Sequence, residues 1–291
     1  MITFTFDADI IQIITDYFVR ENIQCEIADL DTMLFRFYNF NSRLIQIRPR
    51  NVGWSRELAA TILDEEAITA LQEIERKFKE GEDLNPHLSK RLSKPDYSDP
   101  LFCDLGIQHL HFYPRPARSL DLLFCFVSED TVYFIDVMSH NHWSEERLFE
   151  ILCHNWPSLL ASSEIRGALG VSDQITSEKV KTLRKAHFNI LRECNGKVYT
   201  GLGTQMTRSG HSIAGVRGAM AISHELMELK RHFQNQEGEI RDAICQVTGQ
   251  APPQNLHFGL RREGAELLVR EIQTETRMFA MPTGWRLSCI G

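Results

Sequence analysis

The chain has 291 residues, of which 43% are hydrophobic and 24% are charged. This composition is typical of a globular protein with one large domain or two ordinary ones, and no apolar run approaches the ~20 residues of a membrane-spanning helix. The formal net charge of −7 argues against a protein that binds nucleic acid over its whole surface, but it leaves room for a local basic groove. Two basic clusters are candidates for such a groove, although solvated surface charge is the simpler interpretation of both: Arg43, Arg48, Arg50 and Arg56 in one, and Lys90, Arg91 and Lys94 in the other.

The first eighty residues predict helices on either side of a hairpin. Apolar residues recur at helical spacing over residues 8–22, which predicts an amphipathic helix. Residues 32–40 and 43–48 alternate and carry aromatic side chains, a pattern that favours two strands of a hairpin. Residues 56–78 predict one long helix or two shorter ones, and Gly81 is placed to end the last of them.

The middle of the chain predicts a β-meander. Residues 82–104 are polar and interrupted by prolines, which indicates a structured loop or an extended arm. Three strand-like segments follow at residues 107–113, 120–127 and 132–138, with polar turns between them. A helix is then expected over residues 145–155.

The C-terminal part predicts helices at residues 172–194 and 221–233 and a terminal hairpin within residues 267–281. We therefore predict an α+β fold, in which a central antiparallel β-meander is flanked by helices and is followed by a second α+β region. The sequence pattern changes after Pro157, which suggests a domain boundary near residue 160. The predicted domains are residues 1–160, which contain the meander, and residues 161–291.

The cysteines predict a reducing compartment. Seven of them are scattered along the chain without a C-x-x-C pair, which argues for free thiols and against a disulfide framework. The N-terminus has no basic region of the kind that opens a secretory signal. Both observations predict a cytoplasmic protein.

Histidines and arginines around the meander are the residues best suited to catalysis. Residues two apart on a strand point to the same face, so each H-x-H pair would project its imidazoles together. Imidazole titrates near physiological pH, and arginine stabilises the charge that develops on a phosphate, so the set suits acid–base cleavage of a phosphodiester. RNA carries its own nucleophile, so this reaction requires no cofactor. The predicted catalytic residues are His109, His111, His140 and His142, and the predicted phosphate-binding residues are Arg115 and Arg118.

Two other interpretations of the histidines stay open. H-x-H is also a common metal-ligand spacing, and Asp104, Asp121 and Asp136 are nearby carboxylates, although no spacing singles one out. Alternatively, the imidazoles satisfy backbone groups at strand ends, and the chain is a protein-interaction module without enzymatic activity. Exposure discriminates between these interpretations, because catalytic imidazoles must line a cleft.

A glycine-rich stretch begins at Gly196 and contains no nucleotide-binding fingerprint. Residues 207–211 offer backbone N–H groups that could cradle a phosphate. A β-hairpin turn is the more economical prediction for glycine-rich sequence of this kind.

Two resemblances add expectations. The segments 85–92 (N-P-H-L-S-K-R-L) and 104–111 (D-L-G-I-Q-H-L-H), followed by Asn155-Trp156-Pro157, resemble a pattern in a family of uncharacterised bacterial proteins. More distantly, the order of histidine-bearing strand, basic turn, two apolar strands and terminal histidine resembles RelE-like toxins.

The second resemblance implies an α/β mRNA endonuclease that uses basic and histidine side chains without a metal. It also implies RNA or the ribosome as a partner, and an inhibitor or antitoxin protein as another. Residues 1–80 and 160–291 would then be additions for inhibition, sensing or assembly. The leading prediction is a metal-independent ribonuclease of the toxin or phage-defence type. The alternatives are an interaction module and a metal-dependent nuclease or hydrolase.

Overall fold

Helices and strands are both abundant, and the strands form mixed sheets flanked by helices, which is an α+β fold as predicted. The computed structural model describes residues 1–117, 119–139, 146–171, 176–263 and 266–281. The α-helices of these residues are α1 (Phe6–Arg20), α2 (Leu30–Asn41), α3 (Arg56–Ala60), α4 (Glu65–Glu80), α5 (Pro100–Leu105), α6 (Arg147–Asn155), α7 (Ser177–Lys185), α8 (Ile213–Asn235) and α9 (Glu237–Thr248). The strands are β1 (Ile2–Phe4), β2 (Asn51–Trp54), β3 (Ile107–His111), β4 (Asp121–Val127), β5 (Thr131–Ser139), β6 (Arg192–Cys194), β7 (Lys197–Tyr199), β8 (Leu256–Glu263), β9 (Glu266–Glu271) and β10 (Thr276–Ala280).

The chain divides into two compact units. The first contains Met1–Tyr38 and the residues from Gly215 onward, and the second is Asn39–Ala214. The boundary expected near residue 160 falls within the second unit. No helix of the described residues is both long enough and apolar enough to cross a membrane.

The first unit is built around a four-stranded sheet of order β1-β8-β9-β10. Strand β1 runs parallel to β8, and the other neighbours are antiparallel. Helix α1 buries Phe6, Ile10, Ile14 and Phe18, whose spacing of four residues places them on one face. The predicted N-terminal helix and terminal hairpin are therefore both confirmed, with α1 beginning two residues earlier than expected.

The second unit contains the predicted meander. Strands β3, β4 and β5 pair antiparallel in chain order, and β2 adds to β5 in parallel. Leu122, Phe124 and Ile135 from one face of this sheet pack in a common core with Leu148 and Leu152 of α6. The helix predicted after the meander is confirmed, and it covers the face onto which His109 and His111 project.

The hairpin predicted over residues 32–48 is wrong. Residues 30–41 form α2, in which the buried Met33, Leu34 and Phe37 have helical spacing. The carboxylate of Asp29 accepts a hydrogen bond from the Thr32 N–H at 3.0 Å, which stabilises the first turn. Aromatic residues favour strands on average, but here the period of burial determines the structure.

The region after α2 forms two short helices, one of the two outcomes predicted for residues 56–78. Ser55 caps α3 by accepting the Leu58 N–H at 2.9 Å. Asp64 caps α4 by accepting the Ala67 N–H at 2.7 Å. Gly81 ends α4 with a φ of +73°, in the left-handed region that glycine adopts without strain.

Two expectations for the second unit are corrected. Only α7 is helical in the described part of residues 172–194, because the chain turns at His187 and continues into β6. Cys153 of α6 and Cys194 of β6 form a disulfide, which contradicts the prediction that all cysteines are free. The other described cysteines form no disulfide, and they are Cys25, Cys103, Cys125 and Cys245.

Candidate active site

A cleft of about 560 Å³ opens beside β3 in the second unit. Its walls come from β3, β4, the start of α5, the end of α7 and the loop that precedes α5. The residues lining it are Ser89, Arg91, Tyr97, Asp99, Pro100, Leu101, His109, His111, Leu122, Phe124 and Lys185.

Two of the four predicted histidines share one wall of this cleft. His109 is opposite Phe124 in the β3–β4 register, and His111 is opposite Leu122. Because they are two residues apart on a strand, their Cα atoms are separated by about 6.7 Å along one face. His109 is partly exposed and packs against the Phe124 ring at a centroid distance of 6.2 Å, whereas His111 is only 2% exposed. The prediction that these two imidazoles project together is confirmed.

A buried arginine holds the wall that carries Arg91. The Arg43 guanidinium donates to the Asn39 carbonyl at 3.0 Å, to the Arg91 carbonyl at 3.3 Å and to the Lys94 carbonyl at 3.1 Å. The Gln108 side chain in turn donates to the Arg43 carbonyl at 2.9 Å, so β3 and this loop are fastened together. Burial lowers the pKa of Arg43, but the carbonyl groups compensate for the lost water.

The remaining arginines of the first basic cluster do not form a groove. Arg50 is buried and donates to the carbonyl of Ser128 at 2.9 Å. Arg48 forms ion pairs with Glu129 and Asp130. Arg56 donates to the His154 carbonyl at 3.2 Å. These arginines therefore serve the fold, and only the second cluster supplies a residue that lines the cleft, Arg91.

Tyr97 is held in the cleft through its backbone. The Asn39 side chain is buried and donates to the carbonyls of Pro95 at 2.7 Å and of Tyr97 at 2.9 Å. The Tyr97 hydroxyl accepts a hydrogen bond from Arg91 at 3.3 Å, and the guanidinium lies 5.3 Å from the ring centroid. Burial raises the pKa of Tyr97, so its phenol stays protonated at neutral pH and can donate to an anion.

The cleft has a surplus of positive charge. Its carboxylate, Asp99, accepts the N–H groups of Leu101 at 3.0 Å and Phe102 at 3.1 Å, where it caps α5. Arg91 and Lys185 have exposed side chains, and neither forms an ion pair with another described residue. Among the described residues, two exposed cations, two imidazoles and one carboxylate thus line one space, and this surplus of one positive charge suits an anionic substrate.

A second cavity, of about 670 Å³ in the first unit, has the opposite character. Its Asp7 is paired with Lys230 at 2.7 Å, and its Asp31 accepts a hydrogen bond from Ser223 at 2.6 Å. Asp29 accepts two hydrogen bonds from Thr32, which lower its pKa. These polar groups satisfy one another, so this cavity is the weaker candidate.

Of the other predicted site residues, Arg115 is described by the structure and does not line the cleft. Its guanidinium contacts the Asn85 carbonyl at 3.5 Å. Arg118, His140 and His142 lie outside the described residues and stay predictions. Within the described part of the chain, no three His, Cys, Asp or Glu side chains are grouped as metal ligands.

The glycine-rich stretch caps α5 instead of cradling a phosphate. A Cβ atom at Gly201 would lie 1.6 Å from the Asp104 carbonyl oxygen, and one at Gly203 would lie 2.2 Å from that of Cys103, so neither position accepts a side chain. The Gly203 N–H donates to the Asp104 carbonyl at 3.1 Å. Further on, the Thr207 N–H donates to the His211 carbonyl at 2.8 Å, which confirms the predicted turn and occupies a donor that a phosphate would need.

Sequence reasoning missed Tyr97, Asp99 and Lys185 as cleft residues. Lys185 belongs to a basic run that begins at Lys179, which is a usable signal. Tyr97 gives none, because its place depends on Asn39, 58 residues earlier in the chain. In comparisons with protein-family models, with curated proteins and with solved structures, the chain matches none of them.

Proposed function

We propose that the chain is a metal-independent endoribonuclease of the toxin or phage-defence type that acts in the cytoplasm. The observation that carries the proposal is the shared cleft, in which two imidazoles face Arg91 and Lys185. A phosphodiester needs one group that takes a proton, one that gives a proton, and cations for the negative charge that builds up between these events. His109 and His111, with Arg91 and Lys185, supply these groups.

In the proposed reaction, the buried His111, whose neutral form is favoured by burial, takes the proton of an RNA 2′-hydroxyl while that oxygen attacks the phosphorus. His109, which is partly exposed, enters as the imidazolium and gives its proton to the 5′ oxygen as the P–O bond breaks. The products are a 2′,3′-cyclic phosphate and a 5′-hydroxyl end, and exchange with solvent restores both imidazoles. Arg91 and Lys185 bind the phosphate oxygens, and the protonated Tyr97 phenol donates to them.

The first test compares purified wild-type protein with His109→Ala on a labelled RNA and on the same oligomer with a single 2′-deoxy substitution at the cleaved position. We expect His109→Ala to lower the cleavage rate by about 10²–10⁴-fold, because general acid–base catalysis contributes that much. The matched control is His154→Ala, since His154 is exposed on α6 and lies outside the cleft. Cleavage that survives the 2′-deoxy substitution would contradict the mechanism.

Metal removal sharpens the same test. Cleavage should be unchanged by a chelator and by added Mg²⁺, Mn²⁺ or Zn²⁺. Loss of activity on chelation, restored by one of these ions, would favour a metal-dependent nuclease. An absence of cleavage by folded wild-type protein under all these conditions would favour the interaction module.

The toxin character is tested in cells. Induced expression of the wild-type chain should arrest growth and fragment RNA, whereas the His109→Ala/His111→Ala variant should do neither. Arrest that persists in the double variant would place the cause outside the cleft.

A further inference from the structure

An exposed aromatic and basic surface continues from the cleft along the second unit. Lys185, which lines the cleft, is the last residue of α7, and Phe188 follows it after one turn. Phe188 is 45% exposed, and the Arg208 guanidinium lies 4.7 Å from its ring centroid. An exposed ring and a neighbouring guanidinium are the two groups that proteins use to stack on unpaired bases and to bind the phosphates between them.

The backbone makes this surface a fixed structure. His187 adopts a φ of +59°, and the N–H groups of His187 and Phe188 donate to the carbonyls of Arg184 and Leu183, which closes the end of α7. Asn189 then holds Met206 with a pair of hydrogen bonds of 3.0 and 3.2 Å. The hairpin that carries Arg208 is thereby fastened beside Phe188, so the stack is pre-organised.

The charges on this surface are not neutralised. Among the residues that the structure describes, Lys185 and Arg208 form no ion pair. Lys197, on the β6–β7 hairpin between Phe188 and Arg208 in the chain, is paired with Glu164 at 2.8 Å. Many other exposed cations are also paired, such as Arg76 with three glutamates. The surface therefore keeps two cations available in a chain whose net charge is −7.

We propose that this surface binds single-stranded RNA that extends out of the cleft, with one base stacked on Phe188 and a phosphate held by Arg208. The proposal rests on the proposed function in one respect, because it takes the cleft as the place where the RNA is cleaved. An exposed ring can stack on a base only where that base is unpaired, which favours single strands over duplexes. An arginine stacked on a ring keeps the edge of its guanidinium free to donate to a phosphate.

The test measures binding separately from cleavage. Fluorescence anisotropy of the full-length His109→Ala protein should show that a labelled uridine dodecamer binds much more tightly than a dinucleotide. Adding Phe188→Ala or Arg208→Glu should weaken dodecamer binding by about 10-fold or more, since stacking contributes that much per base. Arg208→Glu should also reduce the slope of log affinity against log salt by about 0.7, the value for one phosphate contact on a single strand.

Three controls keep the result interpretable. Lys197→Glu makes the same charge change on a paired residue and should leave dodecamer affinity nearly unchanged. Phe188→Trp should preserve binding, which separates loss of stacking from loss of folding. A duplex of the same length should bind more weakly than the single strand and should be insensitive to Phe188→Ala.

The two proposals fail in different ways. In one outcome, the wild-type protein cleaves no RNA but still binds the dodecamer more tightly than the dinucleotide, and Arg208→Glu weakens that binding. This result would overturn the proposed function and support the proposed binding surface. Alternatively, the protein cleaves RNA in the cleft, but the dodecamer binds no more tightly than the dinucleotide, or its affinity is unchanged by Phe188→Ala and Arg208→Glu. This result would overturn the proposed binding surface and leave the proposed function intact.

Discussion

Two groups of charged residues in the second unit differ in how far their charges are matched. The first is buried around Asp104, whose carboxylate accepts hydrogen bonds from Arg184 at 2.8 Å and from Arg192 at 2.7 and 2.9 Å. Arg192 also donates to Glu146 at 2.8 Å and lies over the Phe149 ring. The second group is the cleft, where Arg91 and Lys185 face solvent without a described ion-pair partner.

This contrast separates the charges that stabilise the fold from those that are available to a ligand. In the buried network two arginines are matched by two carboxylates, because an unmatched charge in that setting costs several kcal/mol. In the cleft the cations can stay unmatched because water still reaches them. Arg184 and Lys185 are neighbours in sequence, yet the first is 2% exposed and the second is exposed in the cleft wall.

Substitutions at Arg184 and Lys185 should separate the buried network from the cleft by the largest effect on stability. Arg184→Gln leaves Asp104 and its partners buried with an incomplete network, so we expect the free energy of unfolding to fall by about 3–5 kcal/mol. Lys185→Gln should change it by less than about 0.5 kcal/mol, as a surface substitution does, while weakening RNA binding. Urea denaturation and anisotropy measure the two effects.

Equal losses of stability in these two variants would remove the distinction between network and cleft. Asp104→Asn is the control for the network, because it removes the central charge and should be at least as destabilising as Arg184→Gln. Its amide keeps the approximate shape of the carboxylate, so the loss would report charge and hydrogen bonding and not volume.

Reduction of the disulfide should have a smaller effect on stability than loss of the buried network. The disulfide lies close to the buried network around Asp104, since Cys194 is two residues from Arg192 in β6. Cys153 and Cys194 close a loop with a sequence separation of 41 residues. Cross-linking a loop of this length restricts the unfolded chain, so reduction should lower the free energy of unfolding by about 2–4 kcal/mol.

We expect Cys153→Ala/Cys194→Ala to be less stable than the oxidised wild type, and added reductant should not destabilise this variant further. The matched control is Cys245→Ala, which removes an exposed free thiol. A double variant as stable as the oxidised wild type would show that the bond does not constrain the chain. Alkylation and mass spectrometry of protein taken directly from cells would also show whether this pair is reduced there, as the proposed cytoplasmic location predicts.

Prediction from sequence succeeded where burial follows a simple period. Helix α1 and strands β3 to β5 follow from apolar spacing, and the two-residue period of a strand placed His109 beside His111 correctly. It failed for α2, where aromatic propensity and burial period disagree. The rest of the cleft could not be predicted, because Tyr97 and Arg91 are positioned by side chains of Asn39 and Arg43 that lie more than 45 residues away in the chain.

The smallest expected effect concerns His87, which joins the cleft strand to α4. Its Nδ1–H donates to the His111 carbonyl at 2.9 Å, and its Nε2 accepts from the Lys77 ammonium at 3.1 Å, so the buried ring is held neutral. Burial, reinforced by Lys77, lowers the pKa of His87 below 6.5.

This shift fixes the sign of a pH effect on stability. As the pH falls below about 6.5, the unfolded chain takes up a proton at His87 before the folded chain does, so the free energy of unfolding falls, by at most about 1.4 kcal/mol per pH unit. Above that pH the contribution of His87 is constant. Urea denaturation of the wild type and His87→Gln between pH 5 and 8 isolates this contribution, because the two proteins differ only at His87. The wild-type curve should fall more steeply on the acid side than the variant curve, and parallel curves would mean that His87 is not held neutral by its two partners.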